Sequence, residues 1–294
     1  MGEFQLWFWI AQVLNGIAIG IILFLVAAGL TLLLGVMGML NLAHGALYMV
    51  GAYVLYSVFA AGVSPWFPVG FVAVAVVTAM VGGVLERTAL RPLYARPPGY
   101  ILLATFALVL IFDDLVLILW GRAYKSVPPP APLDRAMQLG GSVPFPTYYA
   151  FIIVAGIVLS IGLWLLLQRT AFGRLIRALS TDREMVAALG VNVSRSLSFV
   201  YILSAVLAGI GGALAAPLRS ISSGMGVEVV IQSFVVVVIG GLGSIWGALI
   251  GALILGQFSA LGILLVPRFA VAIPYLVLVA ILVWRPYGLF GTRT

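Results

Sequence analysis

The chain of 294 residues has no cysteine, one histidine and one lysine, and only 8% of its residues are charged. Without cysteine there is no disulfide framework, no thiolate metal site and no catalytic cysteine, and the redox compartment stays open. A lone histidine, His44, excludes a multi-histidine metal site, so no metal is expected. A lone lysine, Lys125, with no GxxxxGK[ST] run excludes a P-loop ATPase. Soluble chains carry about 25% charged residues, so this scarcity of charge describes a polytopic membrane protein; 64% hydrophobic residues and a mean hydropathy of +1.24 agree. In so apolar a chain the net charge of +7 reads as loop arginines that set orientation, not as a nucleic-acid surface.

What is present is long apolar sequence. Positions 4 to 85 contain no Asp, Glu, Lys or Arg, and one spanning helix needs only about 20 apolar residues. Met1 to Gln5 lacks the basic start of a cleaved signal, so the first apolar segment is expected to stay in the mature protein. Apolar stretches run at 6–34, 41–61, 69–85, 100–120, 147–168, 197–217, 229–266 and 270–284. The 229–266 stretch is interrupted by Gly240-Gly241-Leu242-Gly243-Ser244, which predicts two passes or a re-entrant hairpin there. The expected fold is an all-α polytopic transmembrane helix bundle of eight to ten spans, broken or re-entrant near 240–247, forming a single transmembrane domain over 1–294. Three loops carry ten of the fifteen basic residues: 86–98, 169–195, and the tail with Arg285 and Arg293. These should face the cytoplasm, which nine passes, an outside N-terminus and an inside C-terminus satisfy. The 34 glycines are expected to let helices approach closely. Gly247 with Gly251, and Gly209, Gly212 and Ala216, are the densest sets.

Polar groups at membrane depth are costly and so point to function. Asn41, His44 and Tyr48 are spaced i, i+3, i+7 and would share one helix face. They read either as a polar strip lining a cavity at a broken helix or as a histidine satisfied inside a helix interface. Asp113 and Asp114 lie about two-thirds along the 100–120 stretch and point about 100° apart. They read as pathway groups or as partners of an arginine such as Arg122 or Arg219. A general acid/base reading lacks any nucleophile or metal constellation. Glu228 and Gln232 sit at the start of the 229 helix, and Ser244 is placed to cap the next one.

The 169–195 loop is long enough for a short helix between two spans. Thr181 with Glu184 has capping-box spacing and Gly190 is a natural C-cap, which predicts a helix over 182–189 exposing Met185, Ala188 and Leu189. An apolar face on a loop calls for a partner.

Three groups of residues together resemble a known family. Gly173-Arg174, Arg177-Ala178, Asp182-Arg183-Glu184 and Ala187-Ala188-Leu189-Gly190-Val191-Asn192 are similar to the docking loop of the branched-chain amino acid permease family of ABC importers. Asn41-Leu42-Ala43-His44-Gly45 and the Gly240–Ser244 run with Gly247 and Gly251 resemble its other two signatures. The likeness spans the chain and is stronger to the LivH-type than to the longer LivM-type subunit. It implies a heteromeric importer in the bacterial plasma (inner) membrane. Its partners would be a second permease, LivM-type, two cytoplasmic ATP-binding subunits and an extracytoplasmic solute-binding protein. This chain would bind no cofactor and would not be an enzyme, ATP and Mg belonging to the partner subunits. Arg177, Asp182, Glu184, Met185, Ala187, Ala188 and Gly190 would couple to the ATPase. Asn41, His44, Tyr48, Asp113, Asp114 and Gln232 are the pathway candidates. Two departures bear on the solute: Ala46 stands where the family often has an acidic residue, and Asp113-Asp114 where an amide pair is usual. Aliphatic amino acids, amides, urea or other small solutes all remain open.

An ion-coupled secondary transporter using Asp113 or Asp114 is the alternative, which the docking loop disfavours. A passive channel would need a repeated polar lining that these helices lack.

Overall fold

A computed structural model describes residues 2–140 and 143–291; Arg293 of the basic tail lies outside the described residues. Among the described residues six helices are long and apolar enough to cross a membrane and three shorter ones are apolar, nine in all and within the expected eight to ten. The elements are α1 (Gly2–Leu32, continued by a wider π turn to Met37), α2 (His44–Ala60), α3 (Trp66–Leu85) and α4 (Pro98–Trp120). A hairpin of β1 (Ala136–Leu139) and β2 (Val143–Pro146) follows, then α5 (Thr147–Arg169), α6 (Ala171–Thr181), α7 (Arg183–Ala188) and α8 (Val193–Ala215). The chain finishes with α9 (Met225–Gly240), α10 (Ile245–Leu265) and α11 (Ile273–Trp284).

Apolar sequence folds into helices here because lipid offers no partner for free backbone amides. The overlong 229–266 stretch is two helices: α9 ends at Gly240, and the Ser244 hydroxyl accepts from the Gly247 amide to start α10. They form an antiparallel hairpin, Gly240 against Gly247 and Val236 against Gly251. The central helix is α1, packed on α10, α8, α9 and α5. It runs antiparallel to α10, with Gly16 against Gln257, Gly20 against Ala252 and Gly35 against Gly243. The β-hairpin was not expected from the sequence. It pairs Ala136 with Pro146 and Leu139 with Val143, and buries Val143 and Phe145 against Ala11 near the start of α1.

The described arginine loops gather at one end of the bundle. Arg183 of the 169–195 loop donates to the Val36 carbonyl at the end of α1, and Arg91 of the 86–98 loop donates to Ser198 near the start of α8. At the same end, Leu289 and Phe290 amides bond to the carbonyls of Ile239 and Gly240, closing the chain onto α9.

Two helices begin inside the bundle. His44, the first residue of α2, bonds through Nε2 to the Val26 carbonyl at 2.8 Å. Val26 lies eleven residues, about 16 Å, before the end of α1 at Met37. The chain thus climbs back from the arginine end before α2 starts, leaving α2 only 17 residues long. α9, 16 residues, starts beside it: the Gly45 and Gly226 backbones touch, and a Cβ on Gly45 would fall 2.0 Å from the Gly226 carbonyl oxygen. Only glycine fits there. Replacing Gly45 by Ala is expected to cost about 1–3 kcal/mol through overpacking and to lower the melting temperature of the solubilised protein. Gly99→Ala, where nothing lies within 4 Å, should leave it unchanged.

Candidate functional site

The Asn41–Tyr48 motif is assembled at the start of α2. The helix begins at His44, so Asn41 lies in the turn before it instead of on a shared face. Asn41 Nδ2 donates to the Tyr201 hydroxyl at 3.1 Å. His44 is fully buried, with Nε2 on Val26 and Nδ1 3.3 Å from Ser204 Oγ, which itself donates to the Gly29 carbonyl at 2.9 Å. Tyr48 is likewise buried, its backbone carbonyl pressed against Gly212. These three residues tie α1, α2 and α8 together around the internal helix start.

A second polar group forms where the chain re-enters before α9. Asp113 is on α4, about 22 Å along from Pro98 and about 10 Å short of Trp120, and its Oδ1 accepts from the Gly224 amide at 3.1 Å. A carboxylate at the start of α9 complements the positive end of that helix dipole. Arg219 pairs instead with Glu228 at 2.7 Å, and Gln232 reaches Glu228 at 3.4 Å. The partner of Asp113 is therefore a backbone amide, neither Arg122 nor Arg219. Asp114, one position on, is exposed on a helix whose other exposed residues are apolar, among them Leu110, Ile111, Leu115 and Ile118. A carboxyl group on such a face requires water or a partner.

The 169–195 loop is built from consecutive capped helices. Thr170 accepts from Gly173, Asp182 from Met185 and Asn192 from Arg195, so each helix starts with a side-chain cap. The cap of α7 is Asp182; Thr181 is the last residue of α6, which corrects the capping-box expectation. Gly190 has the positive φ of a helix stop, +81°. Met185 and Leu189 are 59% and 76% exposed, with Ala187, Ala188 and Glu184 exposed beside them, while Val186 turns inward. Arg177 holds the loop to the Leu167 carbonyl at the end of α5, and Arg183 holds it to α1.

Residues 12–282 match the family model for the branched-chain amino acid transport system permease component. The chain belongs to this family. The high-affinity branched-chain amino acid transport permease LivH of Escherichia coli is 29% identical, the match covering 98% of this chain and 97% of that protein. BraD of Pseudomonas aeruginosa, named as the same kind of permease, is 27% identical with the same coverage. The fructose import permease FrcC of Rhizobium meliloti is 40% identical over 118 residues, 38% of this chain and 33% of that protein. The family provides permease components of ABC importers, so the chain is a multi-pass membrane permease that works with other subunits. The ion-coupled carrier is left without support.

One cluster escaped the sequence reading. Glu86, fully buried at the end of α3, accepts from Arg91 at 3.2 and 3.1 Å and from the Tyr94 hydroxyl at 3.0 Å. Burial, then the Glu86 carboxylate, hold the Tyr94 hydroxyl far above the usual phenol range. With the Arg91 bond to Ser198, this fastens the 86–98 loop to α8. A lone Glu at the end of an apolar run is the available signal.

The Asp113 contact makes a separable prediction. Asp113→Asn keeps an oxygen acceptor for Gly224 and should leave the melting temperature within a degree or two. Asp113→Leu removes it and should cost about 1 kcal/mol, the low end of the penalty for an unpaired amide, because Gly224 is partly buried. Equal losses in both variants would show that the charge, not the acceptor, holds α9.

Proposed function

We propose that this chain is the LivH-type half of an ATP-driven importer for aliphatic amino acids, acting as one permease unit. The full-length family match carries the reading, and the internal polar group supports the substrate class. Asp114, Glu228 and Gln232 present acceptors and Arg219 a cation around the start of α9. Acceptors and a cation suit the two charged ends of a zwitterion, while the valine- and leucine-rich flanks of α4 and α9 suit its side chain. Asn41, His44 and Tyr48 stand behind this region as the packing that holds α2 in place, so they would shape the pathway without lining it.

The partners in this reading are a LivM-type permease, two cytoplasmic ATP-binding subunits carrying ATP and Mg, and an extracytoplasmic solute-binding protein. The arginine end faces the cytoplasm of a bacterial inner membrane and the start of α1 faces outside. Met185, Ala187, Ala188 and Leu189 then seat in the ATPase, with Asp182, Glu184 and Gly190 fixing the helix. Displacement of α7 is passed through Arg183 to the end of α1 and through residues 38–43 to the start of α2. Alternation between inward- and outward-open populations follows from that linkage.

Two measurements test this reading. Gentle solubilisation from the native membrane should recover a P-loop ATPase and a second permease in stoichiometric amounts; recovery of the chain alone, with uptake in vesicles that needs no ATP, would refute it. Met185→Glu with Leu189→Glu should lower ATP-driven uptake of leucine about tenfold or more, as expected for losing central apolar anchors of an interface, with the melting temperature unchanged. Unaltered uptake would remove α7 from the coupling path.

A further inference from the structure

A cavity of about 520 Å³ opens at the arginine end between α3 and α8. Arg87, Arg91 and Arg195 line it, together with Ser194, Phe199 and Ile202. Three guanidiniums meet there against a single carboxylate, because Glu86 is committed to Arg91. Arg87 and Arg195 have no carboxylate within salt-bridge distance among the described residues. Arg87 and Arg91 are also four positions apart on one turn, a spacing at which like charges repel. The cluster is held in place by the Arg91 bond to Ser198 and by the stacking of Arg195 over Phe199, 6.0 Å from the ring centre. The cluster is thus matched in charge to an anionic ligand.

The surroundings say which kind of anion. Below the arginines the cavity is floored by Phe199, 51% exposed, and Ile202. On the α3 side the exposed residues Val72, Val76, Met80 and Val84 follow one another at four-residue steps, with Arg87 three further on. An exposed apolar stripe of this kind on a spanning helix is where lipid chains lie. Cationic heads above and an apolar track below match one amphiphile. We propose that this pocket binds an anionic phospholipid, with the phosphate between Arg87 and Arg195, the Ser194 hydroxyl as a further donor, and an acyl chain along Phe199, Ile202 and the α3 stripe. Basic pockets between spanning helices hold lipid headgroups in this way. Because the pocket joins the 86–98 loop to the start of α8, directly after α7, the bound lipid would brace the segment that leads out of the 169–195 loop. The assignment does not depend on which solute is carried.

The test uses the full chain in detergent, titrated with phosphatidylglycerol and, separately, phosphatidylcholine, and read by native mass spectrometry. One phosphatidylglycerol should be retained preferentially. Arg87→Gln with Arg195→Gln should weaken its retention about 30-fold, the effect of two arginines on anionic lipid, while Arg268→Gln at the opposite end should not. Both pocket arginines are exposed, so the double variant should fold, and an unchanged melting temperature checks this. Equal retention of the two lipids, or unaltered phosphatidylglycerol binding in the double variant, would overturn the proposal. So would displacement by an equal concentration of inorganic phosphate, which would make the pocket a site for a soluble anion. A double variant that keeps its lipid but loses a co-purifying ATPase would assign these arginines to a protein contact instead.

Discussion

A chain that reverses inside a membrane must satisfy the backbone amides it frees there, and the layout of this permease follows from how it does so. Two helices, α2 and α9, start within the bundle and not at its ends. The Gly45–Gly226 contact lets their first turns pack backbone to backbone. Asp113 accepts from the Gly224 amide, and His44 ties the first turn of α2 to the Val26 carbonyl and to Ser204. Each of these groups would be costly alone at that depth, and each is used to hold a helix start.

The same arrangement places function. At the internal start of α9, Glu228 pairs with Arg219 and takes a bond from Gln232, while Asp113 on α4 holds the Gly224 amide. At the arginine end, three consecutive capped helices follow one another, and Arg183 at the start of the second is fastened to α1. α1 is also the helix that packs on α10, α8, α9 and α5. In the proposed coupling, a push on α7 would pass through Arg183 to the end of α1 and on to the segment 38–43 that leads to His44.

The spans and their breaks were legible because they depend on local composition: apolar runs of about 20 residues, the Gly240–Ser244 interruption, and the period that exposes Met185 and Leu189. The arginine loops likewise announced their common end. What stayed hidden depends on contacts across the fold. Asp113 meets Gly224 over 111 positions and Asn41 meets Tyr201 over 160, distances at which no sequence period carries information. The depth of the α2 start was missed for the same reason, since hydropathy does not distinguish a helix that begins at a surface from one that begins beside Val26. The Thr181 cap was misplaced because Thr181 and Asp182 both fit the cap preference, and the break between α6 and α7 falls at the second of them. The β-hairpin lies in a loop whose alternation, Val143 and Phe145 in, Pro144 and Pro146 out, covers only four residues.

The claim that the polar group around the α9 start faces water and not lipid is tested most directly by cysteine accessibility, for which the cysteine-free chain is a ready background. Single cysteines at Asp114 and Gln232, and at Val76 and Met80 of α3 as lipid-facing references, would be treated with a membrane-impermeant maleimide in intact membranes with the complete transporter assembled. The predicted result is labelling at 114 and 232 that added leucine blocks, and no labelling at 76 and 80. Uniform protection of all four positions would contradict the account, leaving Asp114 a group buried by a partner subunit with no part in the pathway.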